Sequence, residues 1–99
     1  MNLRRESFAR ADRLPFRRLD GQTVIVNPRR REVHVLNGMG STIWDLLAES
    51  RNLVDLITAL ERDGRFDADF ATIASDLRTF LDDLMQKDLV RAVASEPAP

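Results

Sequence analysis

Val33-His34-Val35-Leu36-Asn37-Gly38-Met39-Gly40-Ser41-Thr42-Ile43-Trp44-Asp45-Leu46-Leu47 holds two different periodicities in one short stretch. Val33 and Val35 alternate on one face, as in a strand. After a polar break, Ile43, Leu46 and Leu47 recur at helical spacing, and Trp44 widens that stripe. A strand feeding directly into an amphipathic helix predicts a small sheet placed beside helices. Trp44, the only Trp of the chain, is expected to anchor the core.

Upstream of this stretch, Leu14-Pro15-Phe16-Arg17-Arg18-Leu19 reads as a first strand, with Pro15 confined to a strand start or an edge. Asp20-Gly21 signals a tight turn, and Gln22-Thr23-Val24-Ile25-Val26 is a β-branched second strand. Asn27-Pro28-Arg29-Arg30-Arg31 is the next turn, and Glu32–Leu36 the third strand. Asn37 is a candidate helix cap, with a later start open at Gly40-Ser41.

Downstream, Asn52 and Asp55 look like a capping pair for a second helix that buries Leu53, Leu56, Ile57 and Leu60. Asp63-Gly64 stops it. Asp67 is expected to cap the longest helix, in which Phe70, Ile73, Ala74, Leu77, Phe80, Leu81 and Leu84 fall at spacings of three and four. Leu89–Val93 reads as a terminal extension or strand.

The expected fold is α+β: a three-stranded antiparallel sheet followed by a three-helix bundle, similar in outline to a winged helix-turn-helix. Residues 1–12 are expected to be a flexible basic arm, 13–93 the domain, and 94–99 a disordered tail.

Composition removes several function classes. The chain has 99 residues, no Cys and one His. Neither a disulfide framework nor a thiolate metal site can form, and a reducing cytoplasm fits. No apolar run approaches the roughly 20 residues of a membrane span, and no signal peptide is evident. His34 lies on a strand without a neighbouring nucleophile, so no catalytic group, metal site or cofactor is expected. Asn37-Gly38-Met39-Gly40 is too short for a phosphate loop.

The charge is uneven: residues 1–31 carry +6 and residues 32–99 carry −7. A basic arm and a basic turn at Arg29–Arg31 suit an acidic partner. Nucleic-acid binding by a winged helix is the rival reading. The third helix opposes it, with six acids between Asp67 and Asp88 against Arg78 and Lys87.

What remains is the open edge of the third strand. Such an edge accepts an extended peptide as a further strand, through main-chain hydrogen bonds and pockets for alternate side chains. On this reading Glu32, Val33, His34, Val35 and Leu36 supply the edge. Ile73, Ala74, Leu77 and Arg78 supply the opposite wall, although Ile73 and Leu77 also suit the core.

Leu36-Asn37-x-x-Gly40-x-x-Ile43-Trp44-x-Leu46-Leu47, Leu53-x-x-Leu56-Ile57-x-x-Leu60 and Asp76-Leu77-x-x-Phe80-Leu81-x-x-Leu84-x-x-Lys87-Asp88-Leu89-Val90 together resemble the PqqD-like family. These are recognition elements of pathways that modify ribosomally made precursor peptides. The resemblance covers roughly residues 14–91. It implies a non-enzymatic domain that binds the leader segment of a precursor peptide against the third strand and third helix. That domain would then present the peptide to a maturation enzyme: a radical SAM protein, a leader protease or a cyclase. Carried over, the helical wall comes from Ile73, Ala74, Leu77, Arg78 and Leu81.

Two departures are visible. Val35-Leu36-Asn37-Gly38-Met39 stands where members serving pyrroloquinoline quinone synthesis have a Leu-Leu-Ala-Pro-Glu type segment, so a general peptide-modification chaperone is expected instead. Asp88 stands where the family often has Gly after the long helix. The resulting expectation is a stand-alone cytoplasmic leader-peptide chaperone, monomeric or dimeric, with no nucleic-acid or membrane partner. An accessory subunit that binds only its enzyme is a third possibility.

Overall fold

Asp20 and Gly21 both take positive φ, 51° and 79°, between the paired residues Leu19 and Gln22. That is the primed two-residue turn whose twist matches a hairpin. It joins β2 (Phe16–Leu19) to β3 (Gln22–Asn27), and a second hairpin brings in β4 (Glu32–Leu36) to give the antiparallel order β2-β3-β4. The computed structural model describes residues 6–63 and 69–94. The other elements are β1 (Glu6–Arg10), α1 (Met39–Leu46), β5 (Arg51–Asn52), α2 (Leu53–Asp63), α3 (Phe70–Gln86) and β6 (Val90–Ala94). The architecture is α+β, as expected.

A second antiparallel sheet, ordered β5-β1-β6, corrects the expectation of a flexible arm over residues 1–12. Glu6 to Arg10 pair one for one with Ala94 to Val90, and Ala11 N–H continues the ladder to the Leu89 carbonyl at 2.9 Å. Ser7, Phe8 and Ala9 are all buried. With both faces covered, the strand has no alternation to reveal it, and its partners are distant in sequence. Arg10 is likewise fixed rather than free. Its Nε and Nη2 donate to the Trp44 carbonyl at 2.9 and 2.7 Å. Its guanidinium lies 4.7 Å from the Phe16 ring centroid and 4.8 Å from that of Trp44. Burial lowers the Arg10 pKa, Asp45 opposes that shift and Arg18 adds to it. Ala94 belongs to β6 rather than to a tail; residues 1–5 and 95–99 of the expected arm and tail lie outside the described residues.

The helices close one core over the inner faces of both sheets. Phe8, Ile25, Ile43, Trp44, Leu56, Ile57, Leu77, Leu81 and Leu84 are among its largest members, so Trp44 is fully buried as expected. Asn52 caps α2, its Oδ1 accepting from the Asp55 N–H at 2.8 Å. For α3 the cap is Asp69, whose Oδ1 accepts from the Thr72 N–H at 2.8 Å, and not Asp67, which lies outside the described residues. The hydrogen bonds from Thr72 hold the Asp69 carboxyl below its ordinary pKa. Asn37 does not cap α1 with its side chain. Gly38, at φ 52°, holds the cap position, and the Asn37 carbonyl accepts from Gly40 N–H at 3.0 Å.

α3 ends in a closed turn despite lacking Gly. Leu89 N–H bonds to the Leu84 carbonyl at 2.9 Å and Asp88 N–H to that of Met85 at 3.1 Å. This is the two-bond Schellman closure, and Asp88 adopts the left-handed φ of 60° that it demands.

Candidate peptide-binding edge

β4 is an edge strand, and its two faces differ in chemistry. Cross-strand partners share a face, so Ile25 with His34 and Thr23 with Leu36 look inward. Val24 with Val35 and Val26 with Val33 look outward. Accordingly Leu36 is buried, while Val33 and Val35 are 63% and 54% exposed.

The end of β4 is locked into the core by a hydroxyl relay. Ser41 Oγ donates to the Leu36 carbonyl at 3.0 Å and lies 2.7 Å from Thr23 Oγ1. Gly40 serves the same junction. A Cβ there would stand 3.1 Å from the Phe80 ring and 3.4 Å from Leu36 Cβ, so glycine lets Phe80 of α3 close on the strand end. At its other end the β3–β4 hairpin is tied to the C-terminus of α3. Arg30 Nη1 donates to the Gln86 carbonyl at 2.7 Å and pairs with Asp88 at 3.3 Å. Asn27 Nδ2 donates to the Lys87 carbonyl at 3.2 Å.

The end of β4 thus approaches Phe80, and the β3–β4 turn meets Gln86, Lys87 and Asp88 at the C-terminus of α3. On the exposed side of α3, Lys87 Nζ donates to Asp83 Oδ2 at 2.9 Å. Glu32 lies between Arg30 and His34. Glu32 Oε1 accepts from Arg30 Nε at 3.3 Å and lies 3.1 Å from His34 Nε2. The His34 side chain is 15% exposed at the lip of this row.

The edge residues Glu32, Val33, His34, Val35 and Leu36 are thus brought together on one strand. Of the helical wall inferred from the sequence, Ile73, Leu77 and Leu81 are fully buried in the core. Ala74 and Arg78 are half-buried. At about 100° per residue they lie roughly 120° and 160° round the helix from Phe80. An apolar stripe marks which helix face is buried, but not which flank of that face meets the sheet. Gly40 and Phe80, both in the quoted motifs, were the available signal.

Among the described residues, no cluster of three His, Cys, Asp or Glu side chains is placed to hold a metal ion, and no helix is long and apolar enough to cross a membrane.

A family model described as coenzyme PQQ synthesis protein D (PqqD) matches residues 22–90. Among solved structures, the chain is similar to that described as TbiB1 in complex with the TbiA(beta) leader peptide. The two share 26% sequence identity and a TM-score of 0.78, over 88% of this chain and 99% of that one. No curated protein matches the chain.

Proposed function

The chain belongs to the PqqD family, and from that premise we propose that it binds the leader segment of a precursor peptide and presents it to the enzyme that matures it. The observation that carries this reading is the open β4 edge, whose C-terminal end approaches Phe80 of α3 and whose preceding turn is hydrogen-bonded to the C-terminus of that helix. An extended leader added along Glu32–Leu36 gains main-chain hydrogen bonds without refolding its host. Alternate leader side chains point toward Leu36 and His34, and the intervening ones stand beside Val33 and Val35. The similarity to a structure of TbiB1 with a leader peptide supports leader binding. The role is that of a non-enzymatic carrier acting in the cytoplasm, as a monomer or a dimer. The acidic character of α3 weighs against the winged-helix nucleic-acid alternative.

The test is amide-shift mapping with a synthetic leader peptide of the cognate precursor. Shifts should appear together at Glu32–Leu36 and at Phe80, and affinity should survive moderate salt. Shifts confined to Asp76 and Asp82, or tight duplex-DNA binding that salt abolishes, would sink the reading.

A further inference from the structure

The β5–β1–β6 sheet carries a hollow of its own, on the side of β1 opposite to Phe8. Ala9 pairs with Arg91 and Ser7 with Val93, so these four share one face, and Phe8 takes the other. Against that face Ala9, Ala11, Leu47, Ala48 and Val93 line a hollow of about 710 Å³, between the sheet, the turn after β1 and the end of α1. The three Ala side chains leave space that longer ones would fill. None of the lining residues belongs to β3 or β4, so the hollow is separate from the β4 edge.

The border of the hollow is cationic. Arg10, Arg13 and Arg91 line it, and Asp12 is the one carboxylate among its lining residues. Among the described residues neither Arg13 nor Arg91 has an ion-pair partner, whereas Arg18 and Arg30 are paired with Asp45, Glu32 and Asp88. Arg10 is held by the Trp44 carbonyl and by the Phe16 and Trp44 rings, which occupies two of the five N–H donors of its guanidinium and leaves three. Arg13 takes a left-handed φ of 61°. A fold that needed only the turn would be better served there by Gly or Asn.

We infer that this hollow binds a small organic oxyanion, with the arginine forks on a carboxylate or phosphate head and the alanine-lined floor under an apolar body. A guanidinium fork matches either head, through paired charge-assisted hydrogen bonds. Three cations against one anion around a concave surface raise the local concentration of such a ligand. The apolar floor favours an organic anion over a free inorganic one, and the volume falls within the range of about 300–1,000 Å³ that small-molecule sites occupy. Arg10 joins the border of the hollow to the only Trp of the chain, so a bound anion is reported by Trp44.

The experiment titrates the full chain with phenyl phosphate and with phenylacetate. Inorganic phosphate and benzyl alcohol supply the head and the body alone, and amide shifts and Trp44 fluorescence are followed. At least one of the two organic anions should bind about tenfold more tightly than either half, with shifts at Ala9–Ala11, Ala48 and Arg91. Binding of phenyl phosphate alone assigns a phosphate ester, and binding of phenylacetate alone a carboxylic acid. Arg13→Gln with Arg91→Gln should weaken binding by about tenfold or more. Both side chains are exposed, so the melting curve should stay that of wild type. Ala48→Leu, which fills the hollow without changing charge, should weaken binding several-fold. The inference is overturned if neither organic anion binds at millimolar concentration, or if either half binds as well as the whole. It is equally overturned if the shifts fall on β4, or if the variants bind as wild type does.

Discussion

The β2–β3–β4 sheet is built from one unbroken stretch of chain and leaves a strand edge and a valine-rich face open to water. The β5–β1–β6 sheet gathers three distant stretches and buries Phe8 completely. The two have the same number of strands and opposite duties. One sheet closes the domain by joining residues near both chain ends to the helices. The other, relieved of that duty on its outer side, carries apolar and basic groups that the fold does not use. Residues that hold the domain together and residues left open to solvent are thus largely separated by sheet, which allows the contrast to be tested by substitution.

The largest expected effects fall on the closing sheet and its anchor. Phe8→Ala and Trp44→Ala should each cost on the order of 3–5 kcal/mol in urea denaturation, the range for emptying a fully buried aromatic site. If Phe8→Ala left the midpoint nearly unchanged, the closing role of β1 would be broken. Next comes the joint between the open sheet and α1. Ser41→Ala removes the hydroxyl shared by Thr23 and the Leu36 carbonyl and leaves buried groups unpaired, so about 1–3 kcal/mol should be lost. Because the β4 end would loosen, amide exchange at Leu36 should quicken more than at Phe8. The smallest effect belongs to the open face. Val35→Thr should shift stability by no more than about 0.5 kcal/mol. A large loss there would show that the outer face supports the fold after all.

The same division explains what could be read from the sequence. Short-range rules act within β2–β4: Asp20-Gly21 sets one hairpin, Val33 and Val35 alternate, and the Glu32–Leu36 bounds are those of the strand itself. Asn52 caps a helix by reaching three residues ahead. β1 obeys no such rule, because Ser7, Phe8 and Ala9 are covered on both sides and paired with residues near 51 and 92. The edge of the candidate site was legible for the same reason, being one strand. On α3 the sequence shows the buried stripe but not the neighbour of each flank. Asp88 is instructive as well. A Gly is favoured there for its backbone freedom, yet Asp tolerates the left-handed turn and its carboxylate finds Arg30.

The register of β1 against β6 has a mechanical side. Glu6 faces Ala94, so the chain enters and leaves the domain at the same end of one antiparallel ladder. Tension applied through the flanking segments would load a single cross-strand pair, then the next, peeling the strands apart like a zipper. It would not shear the whole ladder at once. Along that axis the domain is soft, however firm its core is at rest. A pull on a partner tethered through either flank would open the closing sheet first, before it disturbed the hairpins that carry the β4 edge.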